Sequence, residues 1–227
     1  MNIAKDWWKI LCLLILLIVF AVGFLIEVPR LHIINEGIRN TFFHVPMWFA
    51  MLILFGISVF YSIKYLNSPN ELYSIKAGEY AKVGILFGVL GLLTGMMWAR
   101  YTWGEYWSGD PKQNGSAIGL LIYMAYFVLR GAINEEELMA RISAVYNIFA
   151  FSSLIPLMYI LPRLTDSLHP GSGGNQNFAM IDFDNNLRLV LYPSIIGFIL
   201  LGIWIGDLRV RIEQNKNMLE ELSQSEL

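Results

Sequence analysis

Six apolar runs constrain the fold of this 227-residue chain more than any other feature. They cover about 10–26, 42–63, 83–99, 116–129, 142–161 and 189–206. A helix of about 20 residues crosses the hydrocarbon of a bilayer, with a range of about 17 to 25. The run at 116–129 is short, but extended back to Asn114 and forward to Ala132 it makes a crossing. The first run follows Lys5 and Lys9 in the manner of a signal peptide. It has no A-x-A-like cleavage site and further crossings follow, so a retained helix is expected. Only 15 % of the residues are charged and 56 % are hydrophobic, against about 25 % charged in a soluble domain. The expectation is an all-α integral membrane bundle of six transmembrane helices over 1–208. A charged helical tail, 209–227, then lies in the cytoplasm.

Six crossings place both termini on one side. The N-terminal segment, the 64–82 and 130–141 connections and the tail carry ten of the sixteen lysines and arginines. Arg30, Arg39, Arg100, Lys112, Arg163 and Arg188 fall on the other side. The positive-inside rule therefore favours cytoplasmic termini. His32, His44 and His169, the three histidines of the chain, then share the outer face with the 27–41, 100–114 and 162–188 connections.

Several chemistries are absent from the sequence. Cys12 is the only cysteine, which rules out an internal disulfide and dithiol redox chemistry in a monomer. There is no C-x-x-C-H, no Walker glycine loop, no H-E-x-x-H and no Ser/His/Asp arrangement. The runs lack the clear mid-membrane Asp, Glu, Lys or Arg that ion pumps use. Cys12, Thr94, Asn147, Ser152 and Ser153 read as helix-packing groups, and Pro156 as a kink. A net charge of −2 does not favour nucleic acid.

What remains is on the outer face. His44 stands in TFFHVPMWFA, where Pro46 suits the first turn of a helix. The positive end of that helix favours neutral imidazole, the form that binds a metal. His169 stands in LPRLTDSLHPGSGG, beyond the fifth run. Two such imidazoles can fill both axial positions of a haem iron; each taken alone reads first as an interfacial histidine with no ligand. The stretch WGEYWSGDPKQNG, 103–115, follows Trp98 and Tyr101. Aromatics gather at membrane interfaces anyway, but Gly104, Gly109, Asp110 and Pro111 shape a loop, and a ring-lined loop can stack on a flat macrocycle. Arg39, Arg100, Lys112 and Arg163 can each meet a carboxylate such as a haem propionate, or simply reach the headgroups.

T94-G-M-M-W-A-R-Y-T-W-G-E-Y-W-S-G-D110 resembles the tryptophan-rich WWD signature of the haem-handling proteins of cytochrome c biogenesis, the CcmC and CcsA types. HVP at 44–46 and LHPG at 168–171 resemble the segments around that family's two axial histidines. The likeness covers nearly the whole chain, and six crossings match the smaller CcmC-like layout. It implies non-covalent haem b on the outer face of the cytoplasmic (inner) membrane, with His44 and His169 as axial ligands of the iron. Trp98, Arg100, Trp103, Trp107 and Asp110 are then the cofactor-binding signature residues. It also implies an acceptor, either a membrane-anchored haem chaperone or apocytochrome c, and ATP-binding cassette partner subunits. GDPK at 109–112 resembles the CcsA style, whose members join haem to apocytochrome c as a lyase. The signature departs from the family at Gly109, where a tryptophan is usual. A membrane b-type cytochrome would carry histidines at helical spacing within its spans, and an unrelated transporter leaves both histidines without a role.

Overall fold

The computed structural model describes residues 3–29, 35–170 and 184–225. Helix α1 spans Ile3–Leu25. A 3₁₀ segment, Asn35–Asn40, leads into α2, Thr41–Asn67. Helices α3, Glu71–Trp103, and α4, Pro111–Ala132, follow. Helix α5, Glu136–Ile155, continues through a π-helical segment, Pro156–Ile160, and one α turn, Leu161–Leu164. Helix α6 is Asn185–Ser225. Among the described residues, six helices are long and apolar enough to cross a membrane, which is the expected fold class. His32 and the glycine-rich stretch after Pro170 lie outside the described residues.

The helices are longer than the apolar runs. The connection expected over 64–82 shrinks to Ser68–Asn70, because Asn70 caps α3 by accepting from Leu72 N at 2.9 Å. The tail continues α6 without a break to Ser225. Most of the signature is helical too: α3 runs to Trp103 and α4 starts at Pro111, which leaves only 104–110 as loop.

Helix α2 packs most extensively against α3 and also lies against α5 and α6, while α1 rests on α6. The α2–α3 contact follows from a ladder of small residues. Gly84, Gly88, Gly91 and Gly95 recur at helical spacing on α3. A Cβ at these positions would stand 2.5 Å from Phe55 Cδ1, 2.8 Å from Met51 Sδ, 3.0 Å from Trp48 Cε2 and 2.7 Å from His44 Cε1, in that order. Positions 44, 48, 51 and 55 repeat the spacing in reverse on α2, so the side chains of one helix seat in the groove of the other. Deeper in, Phe55 stacks on Tyr123 of α4 with centroids 3.5 Å apart. Asn147 of α5 donates to Ser58 Oγ at 2.7 Å and Ser62 Oγ at 2.8 Å. Ser152 and Ser153 bond back to the carbonyls of Ile148 and Phe149.

Pro46 is not in the first turn of its helix, as the sequence suggested. The 3₁₀ segment brings the chain in earlier, α2 begins at Thr41, and Pro46 lies inside it. Proline removes the N–H that would bond the carbonyl four residues earlier. That carbonyl belongs to Phe42, and Ser194 Oγ of α6 donates to it instead. Ser194 is fully buried. Ser194→Ala should cost about 1–3 kcal/mol, the usual penalty for stranding a buried polar group, seen as a lower detergent-solubilised melting temperature.

Pro156 opens the π-helical segment, and the displaced turn brings the Leu157 carbonyl against α4. A Cβ on Gly115 would lie 2.1 Å from Leu157 O. Only glycine fits there.

Candidate functional site

His44 sits in the second turn of α2 and is buried, 7 % exposed. Its Nδ1 lies 3.0 Å from Gly91 O and 3.2 Å from Thr94 Oγ1. A carbonyl only accepts, so Nδ1 carries the proton and donates, leaving Nε2 with a free lone pair. Thr94 Oγ1 donates to Leu90 O at 2.9 Å, which keeps it on the same turn. Trp98 stands edge-on to the imidazole with centroids 5.8 Å apart, and Trp48 does so at 6.2 Å. Trp98 Nε1 is buried with no hydrogen-bond partner among the described residues.

His169 follows the last turn of α5. Its ring meets Trp103 edge-on at 5.3 Å. Its Nδ1 is 3.4 Å from Asp110 Oδ1, close enough for ion-pair attraction yet without hydrogen-bond geometry. Burial pushes this imidazole below the usual histidine range, and the charge of Lys112 adds to that while Asp110 pulls the other way. The neutral ring is the outcome at pH 7.

Asp110 is the centre of this end of the bundle. Its side chain is 0 % exposed. Oδ1 caps α4 by accepting from Lys112 N at 2.9 Å and Gln113 N at 3.4 Å. Oδ2 accepts from Ser167 Oγ at 2.9 Å and Leu168 N at 2.7 Å. Burial alone would raise its pKa, but His169, Ser167 and the N–H groups of Leu168 and Lys112 together hold the carboxyl well below the usual carboxylate range.

The loop before it is shaped by two left-handed glycines, Gly104 at φ 88° and Gly109 at φ 73°. At Gly109 a tryptophan would be strained in this conformation. Gln113 ties the loop back by accepting from Ser108 N and donating to Tyr106 O. Asn114 donates to Gly109 O at 2.8 Å and accepts from Trp107 Nε1 at 3.1 Å. The Trp107 ring remains 39 % exposed.

Two of the four cations named from sequence are engaged as helix ends. Arg39 donates to Gly23 O and Ile26 O at the close of α1 and pairs with Glu36. Arg100 donates to Gly104 O at the close of α3 and lies over the Tyr106 ring. Lys112 stands within electrostatic range of both imidazoles and of Arg163.

The structure thus groups His44 with Trp98 and His169 with Trp103 and Asp110, at the same end of the bundle. It sets Trp107 and Arg100 on the loop beside them. Gly91, Gly95, Trp48, Ser167 and Gln113 were not singled out in the sequence. G-L-L-T-G at 91–95 is a small-xxx-small motif, and it was the available signal for the first two.

The chain is 24 % identical over 190 residues to heme exporter protein C of Paracoccus denitrificans, covering 82 % of this chain and 76 % of that one. It is 27 % identical over 177 residues to heme exporter protein C of Bradyrhizobium diazoefficiens, covering 78 % and 66 %. A putative cytochrome c biosynthesis ccmC-like mitochondrial protein of Marchantia polymorpha is 25 % identical over 171 residues, covering 75 % and 71 %. The family model described as CcmC, heme exporter protein C, matches residues 1–224, and the chain belongs to that family.

Proposed function

We propose that this protein handles haem for cytochrome c biogenesis. It holds haem b non-covalently at the histidine end of the bundle, on the outer face of the cytoplasmic membrane, and hands it to an acceptor. The carrying observation is that two imidazoles, distant in the chain, stand at one end of the bundle beside tryptophans, with His44 Nδ1 bonded to Gly91 O and His169 Nδ1 3.4 Å from Asp110 Oδ1. That leaves both Nε2 atoms for the axial positions of one iron. The residues suit the group in other ways. Trp98 Nε1 is an orphaned buried donor, and Lys112 and Arg163 are cations for the propionates. Trp98, Trp103 and Trp107 supply ring faces and edges.

Cys12 supports the non-covalent mode. It donates to Gly197 O from the middle of α1, about 20 Å along the axis from Leu25 at the rise of a helix. No thioether from this chain reaches the site. The exposed loop 104–108 offers an edge from which an acceptor, a membrane-anchored haem chaperone or apocytochrome c, collects the cargo. Transfer is then ligand exchange at iron, and any ATP is hydrolysed by ATP-binding cassette partner subunits. The lyase alternative places the thioether chemistry on this chain; co-expression with apocytochrome c alone, followed by a test for covalent haem, separates the two.

Detergent-purified protein titrated with haem should give a six-coordinate low-spin absorption spectrum with two nitrogen ligands. A spectrum identical to haem in detergent alone would reject the reading.

A further inference from the structure

Asp110 stands in the signature, yet its carboxylate is sealed inside the protein. Both oxygens bridge the start of α4 and the segment that carries His169. Ser167, which donates to Oδ2, also accepts from His169 N at 3.2 Å. The imidazole is therefore held at its own backbone, by Trp103 on one side and by Oδ1 facing Nδ1. That Nδ1 is buried with no hydrogen-bond partner among the described residues. A buried ring nitrogen 3.4 Å from a buried carboxylate oxygen needs only a small ring rotation to become a hydrogen bond.

Resting on the haem-site reading above, we infer that Asp110 is a positioning residue for His169. It fixes the Nδ1–H tautomer, aims Nε2 at the iron and, through its charge, makes this imidazole the stronger electron donor of the pair. His44 is backed by a neutral carbonyl, Gly91 O, and a carboxylate pulls on the Nδ1–H proton more strongly than a carbonyl does, which makes Nε2 the stronger donor. The two axial ligands are consequently unequal. Asp110 touches neither the macrocycle nor the acceptor.

The rival explanation is that Asp110 only caps α4. Substitutions separate the two, since asparagine and serine cap helices about as well as aspartate. Asp110→Asn keeps one oxygen to cap α4 while removing the charge and putting an NH2 group where Oδ2 accepts from Ser167 Oγ and Leu168 N. In purified, haem-loaded protein its midpoint potential should rise, because a less basic ligand stabilises ferric iron less. Its haem affinity should fall roughly 10- to 100-fold, the usual effect of losing such a partner. Asp110→Glu should recover part of both changes. Potential and affinity equal to wild type in Asp110→Asn would overturn the inference.

A second measurement needs no haem. In the unloaded protein labelled with ¹⁵N-histidine, His169 should show the Nδ1–H tautomer, and Asp110→Ser should turn it into a mixture. An unchanged nitrogen spectrum in Asp110→Ser would equally overturn the inference. Should wild-type protein bind no haem, the functional reading falls, and the nitrogen spectrum still decides the Asp110–His169 pairing.

Discussion

His44→Ala and His169→Ala should each abolish the low-spin, two-nitrogen haem spectrum and stop cytochrome c maturation in cells that depend on this protein. In the proposed reading each imidazole supplies one axial bond, so either loss would leave a five-coordinate or water-bound iron. The loss in haem affinity should exceed the roughly 100-fold upper end seen when only a supporting partner of a metal ligand is removed. The two variants should also differ. His44 is buried between α2 and α3, and its removal leaves a hole lined by Trp48 and Trp98. His169 lies in the segment after α5, is 23 % exposed at its side chain, and its removal leaves the bundle unaffected. Added imidazole should therefore restore the spectrum more readily in His169→Ala. His32→Ala should leave the spectrum as it is. A wild-type spectrum in either of the first two variants would refute the axial assignment.

Gly95→Ala should produce nearly the same spectral loss from a residue with no chemistry of its own. The added methyl would lie 2.7 Å from His44 Cε1, closer than real Cβ atoms approach, and 3.3 Å from Nδ1. The imidazole is pinned by Gly91 O and flanked by two indoles, so it cannot swing aside without breaking the bond at Nδ1. Overpacking of this kind costs about 1–3 kcal/mol, and here the distortion falls on the ligand. Gly131→Ala is the comparison, because a Cβ there meets nothing within 4 Å. Thermal melts should show both variants folded, with only Gly95→Ala losing the two-nitrogen spectrum. Retention of that spectrum by Gly95→Ala would mean that His44 does not need the groove.

The number of crossings and the side shared by His44, His169 and the signature were legible because hydrocarbon length sets the span of an apolar run and parity sets its direction. Helix ends were less so. Glu79 and Lys82 looked like loop residues, yet both are in α3, where Glu79 is buried against Arg209 at 2.6 Å. An ion pair across two helices is invisible to hydropathy. The role of Pro46 misled for a related reason: a proline inside a helix is tolerable once Ser194, distant in sequence, takes up the freed carbonyl.

By itself the sequence determined that six helices carry two histidines and a tryptophan-rich segment to one end of a membrane bundle. Local apolar pattern and turn chemistry suffice for that. Only the tertiary structure decided that His44 Nδ1 bonds Gly91 O, that Asp110 faces inward to His169, and that a glycine groove on α3 receives His44. Those facts depend on contacts between segments remote in the chain, where close packing and directed hydrogen bonds leave room for one arrangement and no local signal records it.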